Sequence, residues 1–202
     1  MQRSLPDAQM GFFGKLPARG DFVRAGLPSG FVSPWDDWWQ RMLTGSRQEL
    51  GEQWEPAWME APVWRFLLQA GACGPDAALG VFMPSVDRAG RLFPLTIAWT
   101  APRAANFAED GAAWLGTAEA AGLAALEQDL QPEQLTAALR EPFDETDARL
   151  ADLAPSGACA WWTEGSPRVP ATAFATTILP NAHVFTQMLD AGLPASDSAL
   201  GS

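Results

Sequence analysis

The sequence predicts an α+β fold: a single domain in which a mainly antiparallel sheet of about five to seven strands is flanked by helices in α-β-α layers. Three observations lead there. Apolar runs and helical stripes follow one another in the order strand, strand, helix, three strands, helix pair, two strands, helix. The three central strands are joined by short connections, which favours antiparallel neighbours over a doubly wound parallel sheet. The 202 residues are 48% apolar and include 10 tryptophans and 11 phenylalanines, enough for one well-filled core, since each buried aromatic withdraws roughly 150 to 250 Å² from water.

Residues 1–9 are read as an N-terminal extension, 10–194 as the domain and 195–202 as a flexible tail. Met10 to Phe13 is a short apolar run bounded by Gly14 and Pro17, and Asp21 to Val23 follows Gly20; both suit short strands. Ser33, Pro34 and Asp36 stand in the order of an N-cap, a first helical position and a first-turn acid, so a helix is expected to start at Ser33. On that reading Asp36 and Asp37 are capping groups at the positive end of the helix dipole. Trp35, Trp38, Trp39, Met42 and Leu43 recur at helical spacing and form an aromatic stripe. Gly45 and Gly51 are expected to break or bend this helix before Trp54 and Trp58 resume it, and Pro56 and Pro62 punctuate its end.

Beyond Pro62 the period changes. Val63 to Ala70, Ala78 to Met83 and Leu92 to Trp99 are dense apolar runs without a helical stripe and read as three strands. Between the last two, Asp87 with Gly90 three positions later suits a type I turn followed by a left-handed residue, a hairpin loop. Pro94 belongs at an edge or bulge of its strand, because it cannot donate to the ladder. Ala104 to Leu130 is alanine-rich with an imperfect helical face, and Pro132 opens a second short helix through Arg140. An acidic connection from Glu141 to Pro155 leads to two more strands, Ala158 to Thr163 and Val169 to Leu179, and to a closing helix from Ala182 to Ala191.

Charge and cysteine content narrow the function classes. A formal charge of −11 and a pI near 4.4 argue against nucleic acid or anionic lipid, both of which demand a cationic surface. Cys73 and Cys159 are too few and too far apart for a disulfide framework. The first residues, MQRSLPDAQ, hold no apolar h-region, and no run of 18 apolar residues occurs, so the cytoplasm is the expected compartment.

Catalytic options are few. His183 is the only histidine, Lys15 the only lysine, and tyrosine is absent. No G-x-S-x-G, C-x-x-C or H-E-x-x-H occurs, so neither a nucleophilic relay nor a zinc site is assembled. Gly14-Lys15 lacks the first glycine and the hydroxyl residue of a phosphate loop. His183 is read as a capping or surface residue and Cys73 as a small apolar core residue. In the pairs Trp38-Trp39 and Trp161-Trp162 the neighbours point in different directions, so at most one of each could line a given pocket; core burial is the reading, with a protein contact as the alternative for the second member. No catalytic, cofactor or metal residue is assigned.

What remains is polar and local. Lys15, Arg19, Asp21 and Arg24 lie near the start, and Asp87, Arg88 and Arg91 in the hairpin loop, so that five of the 13 basic residues fall in two short segments of an acidic chain. Two readings stand: an intramolecular salt-bridge set that fixes these loops, or a docking surface for a protein.

The same segments carry a resemblance. Gly11 to Pro28 (GFFGKLPARGDFVRAGLP), Ala61 to Gly74 (APVWRFLLQAGACG) and Met83 to Leu95 (MPSVDRAGRLFPL) resemble, in order, the signature blocks of the TagF family of type VI secretion-associated proteins. The resemblance implies a cytoplasmic, non-enzymatic protein that holds the secretion machine off after translation, acting through the forkhead-associated scaffold protein of that system. Some members of the family are fused to a protein phosphatase; this chain lacks the length for one, so any phosphatase is expected as a separate partner. The alternatives are a small-molecule or enzymatic pocket around Asp87, Arg88 and Arg91, and a structural subunit of the machine.

Overall fold

The computed structural model describes residues 9–107, 110–141 and 157–192. The expected tail, nearly all of the N-terminal extension and most of the acidic connection fall outside the described residues. Two short strands, β1 (Gln9–Gly14) and β2 (Val23–Ala25), precede a long helix α1 (Ser29–Leu50) and a short one, α2 (Trp54–Met59). Strands β3 (Trp64–Leu68), β4 (Ala77–Met83) and β5 (Leu95–Ala101) follow, then helices α3 (Gly111–Glu127) and α4 (Pro132–Ala138), strands β6 (Cys159–Thr163) and β7 (Thr172–Thr176), and helix α5 (Ala182–Leu189).

The seven strands of the described residues form one antiparallel sheet in the order β2-β1-β5-β4-β3-β6-β7. The expected α+β architecture is present. Successive side chains leave a strand on opposite faces, and here both faces are covered. Trp64, Phe66, Ala78, Phe82 and Trp161 point toward α1, α2 and α5. Leu79, Val81, Ile97, Trp99 and Trp162 point toward α3 and α4. Double coverage explains why β4 and β5 are buried at every residue and read as continuous apolar runs.

Helix α1 starts at Ser29, not after Ser33. The Pro28 carbonyl accepts from the N–H groups of Phe31 at 3.1 Å and Val32 at 3.0 Å, which closes a turn ahead of Pro34. Pro34 therefore lies inside the helix, and Asp36 and Asp37 fall past the first turn, so they do not cap it. The missing Pro34 N–H leaves the Gly30 carbonyl without its helical donor, and that carbonyl lies against Gly74, where an added Cβ would come within 2.2 Å of it.

Nor does Gly45 interrupt the helix. It sits where α1 crosses α5: a Cβ there would stand 2.4 Å from the Cβ of Ala182. Its small size serves close helix packing, whereas Gly51, with φ of 53°, does end the helix. Pro94 precedes β5, and its carbonyl alone extends the pairing with β1 by accepting from the Lys15 N–H at 3.3 Å.

Both tryptophan pairs are core, as expected. Trp38 and Trp39 are both buried on the α1 side, and Trp161 and Trp162 are buried on opposite faces of the sheet, so neither pair offers a ring to a protein contact. A sheet wrapped on both sides leaves no solvent face for the second ring.

Candidate functional site

The sequence-predicted residues meet at the end of the sheet where β1 and β4 run out. β1 ends at Gly14, whose φ of 141° and contact with the Pro94 carbonyl, 1.9 Å from where a Cβ would stand, restrict the position to glycine. The chain then turns so that the Lys15 ammonium donates to Asp87 Oδ2 at 2.5 Å, while the Lys15 carbonyl accepts from Ser85 Oγ at 2.8 Å. Both side chains of this ion pair are almost wholly withdrawn from solvent.

Asp87 is the hub. Its Oδ1 accepts from the backbone N–H groups of Ala89 at 2.9 Å and Arg91 at 3.0 Å, and its Oδ2 also accepts from Arg91 Nε at 2.7 Å. The hairpin is the turn the spacing predicts: Gly90 N–H donates to the Asp87 carbonyl at 2.9 Å, with Gly90 at φ of 81°. Burial alone would push the Asp87 carboxyl up. The hydrogen bonds from Lys15 and Arg91 and from the two backbone N–H groups outweigh it and hold the carboxyl well below the usual carboxylate range.

Two further bonds tie this hairpin to the β1–β2 loop. The Arg88 N–H donates to the Arg19 carbonyl at 3.0 Å, and Arg91 Nη2 donates to the Gly20 carbonyl. Lys15, Asp87 and Arg91 thus form an intramolecular clasp. Around it the other residues face outward. Arg88 is exposed, Arg19 is half-exposed and 3.9 Å from Glu133, and Arg24 donates to the Leu27 carbonyl at 3.0 Å. Asp21 is fully exposed, 3.8 Å from Arg91.

Sequence reasoning did not single out Phe22. Its ring is 48% exposed, stacked on Phe13 at 5.7 Å, edge-on to Phe93 at 4.7 Å, and 5.1 Å from the Lys15 ammonium. Nothing in its spacing separated it from a core residue. It also missed two arginine forks: Arg65 between Glu119 and Glu164, and Arg168 between Glu60 and Asp190. Hydrogen bonds to Glu60 and Asp190 raise the Arg168 pKa. These partners lie far apart in sequence, so no local signal pairs them.

The residues held back from catalysis sit as follows. His183 is half-exposed with Nδ1 3.2 Å from Glu49, and Asn181 caps α5 by accepting from the Val184 N–H. Burial, with Cys159 beside it, pushes the Cys73 thiol up to about 12. Among the described residues no three metal-ligating side chains gather. A groove of about 160 Å³ lies beside the clasp, lined by Pro17, Trp58, Met59, Pro84, Val86 and Leu126 among others. It is smaller than the ~300 to 1,000 Å³ of small-molecule sites, and Asp87, Arg88 and Arg91 do not line it.

The profile of the TagF N-terminal domain, Type VI secretion system-associated, matches residues 11–141. The chain belongs to that family. The match takes in every residue of the clasp and of the outward arginines. It stops short of β6, β7 and α5, but likeness in structure runs further: PA0076 from Pseudomonas aeruginosa PAO1, whose crystal structure is solved, is 34% identical with a TM-score of 0.78, covering 96% of this TagF-family chain and 99% of its own. No curated protein matches the sequence. Among the described residues no helix is long and apolar enough to cross a membrane.

Proposed function

We propose that this TagF-family chain is a non-enzymatic, cytoplasmic regulator that lowers type VI secretion after translation by binding the forkhead-associated scaffold protein of that system, with a separate protein phosphatase as a further partner. Association with type VI secretion follows from the family. The observation that carries the finer reading is the division of labour at the clasp. Lys15 and Arg91 are satisfied by Asp87, and the loops so joined leave Arg19, Arg88 and the Phe22 ring exposed. Arginine and aromatic rings are the side chains that most often anchor protein contacts. On a chain of net charge −11 a local basic patch also gives orientation to an encounter.

Co-purification from a bacterium that carries the secretion system tests this. The scaffold is expected to be recovered with the chain, and Arg19→Ala with Arg88→Ala is expected to lose it without lowering the melting temperature. Failure to recover the scaffold, together with unchanged secretion on overexpression, would sink the proposal. A structural subunit of the machine predicts loss of secretion on deletion, whereas a repressor predicts gain.

A further inference from the structure

The sheet ends differently at its two edges. β2 is only three residues long, carries Arg24 and has α4 beside it. β7 is five residues long, and none of the described strands pairs with its outer side. From Pro170 to Ile178 the chain reads PATAFATTI, without a charge, and most of these residues are exposed, Ile178 to 70%. Folded proteins blunt a free edge with charges, proline or a bulge, because unpaired N–H and C=O groups are a template for another strand. The stretch Thr172–Thr176 has none of these.

Thr-Ala-Phe-Ala-Thr also reads the same in both directions about Phe174. We propose that β7 pairs antiparallel with β7 of a second copy of this chain across a two-fold axis at Phe174, joining the two sheets into one. That register sets Thr172 against Thr176, Ala173 against Ala175 and Phe174 against Phe174, matches of the kind that stabilise cross-strand pairs. Ile178 then comes opposite Pro170. Phe174 is already steadied by Trp64, edge-on at 5.7 Å, and by Trp161, stacked at 6.5 Å. Charge favours a second copy at this place. Two chains of −11 repel over most of their surfaces, and an uncharged edge is where they approach without that cost. A two-fold contact uses the same patch on both copies and closes at a dimer.

Sedimentation equilibrium on the full chain tests the pairing. The wild type is expected to approach twice 21.7 kDa as concentration rises. Ala173→Lys with Ala175→Lys sets like charges opposite each other across the axis and is expected to abolish the dimer. Both positions are exposed, so the melting temperature of the monomer should hold. Ala173→Lys with Ala175→Glu sets opposite charges face to face in this register alone and is expected to restore the dimer. A wild type that stays monomeric, a double-lysine variant that still dimerises, or a lysine–glutamate variant that remains monomeric overturns the proposal.

Discussion

One face of the sheet is covered mainly by rings, the other largely by the small side chains of α3 around a few rings. On the α1 side Trp35 stacks with Trp38 at 4.8 Å, tilts onto Phe66 at 5.0 Å and lies parallel to Trp161 at 6.5 Å, while Trp39 meets Phe82 and Phe185 edge-on. On the α3 side Ala118, Ala121 and Ala125 face the sheet, and Gly122 is so close that a Cβ would stand 2.5 Å from Met83 Cε. Side-chain size sets the thickness of each layer: indoles hold α1 off the strands and fill the gap, whereas alanine lets α3 settle onto them. Polar satisfaction differs from ring to ring and does not follow the layers. Trp35 Nε1 donates to Thr96 Oγ1 at 2.9 Å and Trp38 Nε1 to the Pro180 carbonyl at 2.7 Å, but Trp39 on the same side, and Trp99 and Trp114 on the alanine side, keep indole N–H groups without a hydrogen-bond partner.

If the ring layer is a filled space, removing its centre should cost most. Trp35→Ala is expected to lose about 3 to 5 kcal/mol in denaturant unfolding. If the alanine layer is a close approach, it should fail by overfilling, and Ala118→Leu is expected to cost about 1 to 3 kcal/mol. A subtler contrast follows from the indole partners. Trp35→Phe strands a buried hydroxyl and Trp114→Phe strands nothing, so the first is expected to cost about 1 kcal/mol more than the second. Equal losses would show that the Thr96 partner does not distinguish Trp35 from Trp114.

Neither layer has at its centre a charge like that of the clasp, so acid should act at the end of the sheet. The Asp87 carboxyl titrates lower in the folded chain than in the unfolded one, so its stabilisation is complete above about pH 4 and drains away as pH falls toward the folded value. At neutral pH a change of one unit is expected to move the melting temperature hardly at all. Asp87→Asn should remove this part of the acid dependence, and a melting curve whose acid limb is unchanged in that variant would relocate it.

How much of this was legible depends on the range of the signal. The ring stripe from Trp35 to Leu43 and the Asp87–Gly90 turn are written within a few residues, and both appear where expected. The helix start was misplaced because Ser33-Pro34 imitates a cap, while the true first turn is closed by the carbonyl of Pro28, an atom every residue possesses. Gly45 looked like a breaker because what demands it, Ala182, stands far along the chain. At the candidate site the grouping of basic residues was visible, but which of them turn inward was not: that is decided by Asp87, which can satisfy Lys15 and Arg91 only once β1 and β4 lie in one sheet.

The clasp has one practical corollary. Because Lys15 is the only lysine and its ammonium is tied to a carboxylate beneath the surface, amine-directed reagents find one side-chain address in this sequence, open only when the two loops part. Acylation at that position would serve as a clock for their separation, without background from any other lysine.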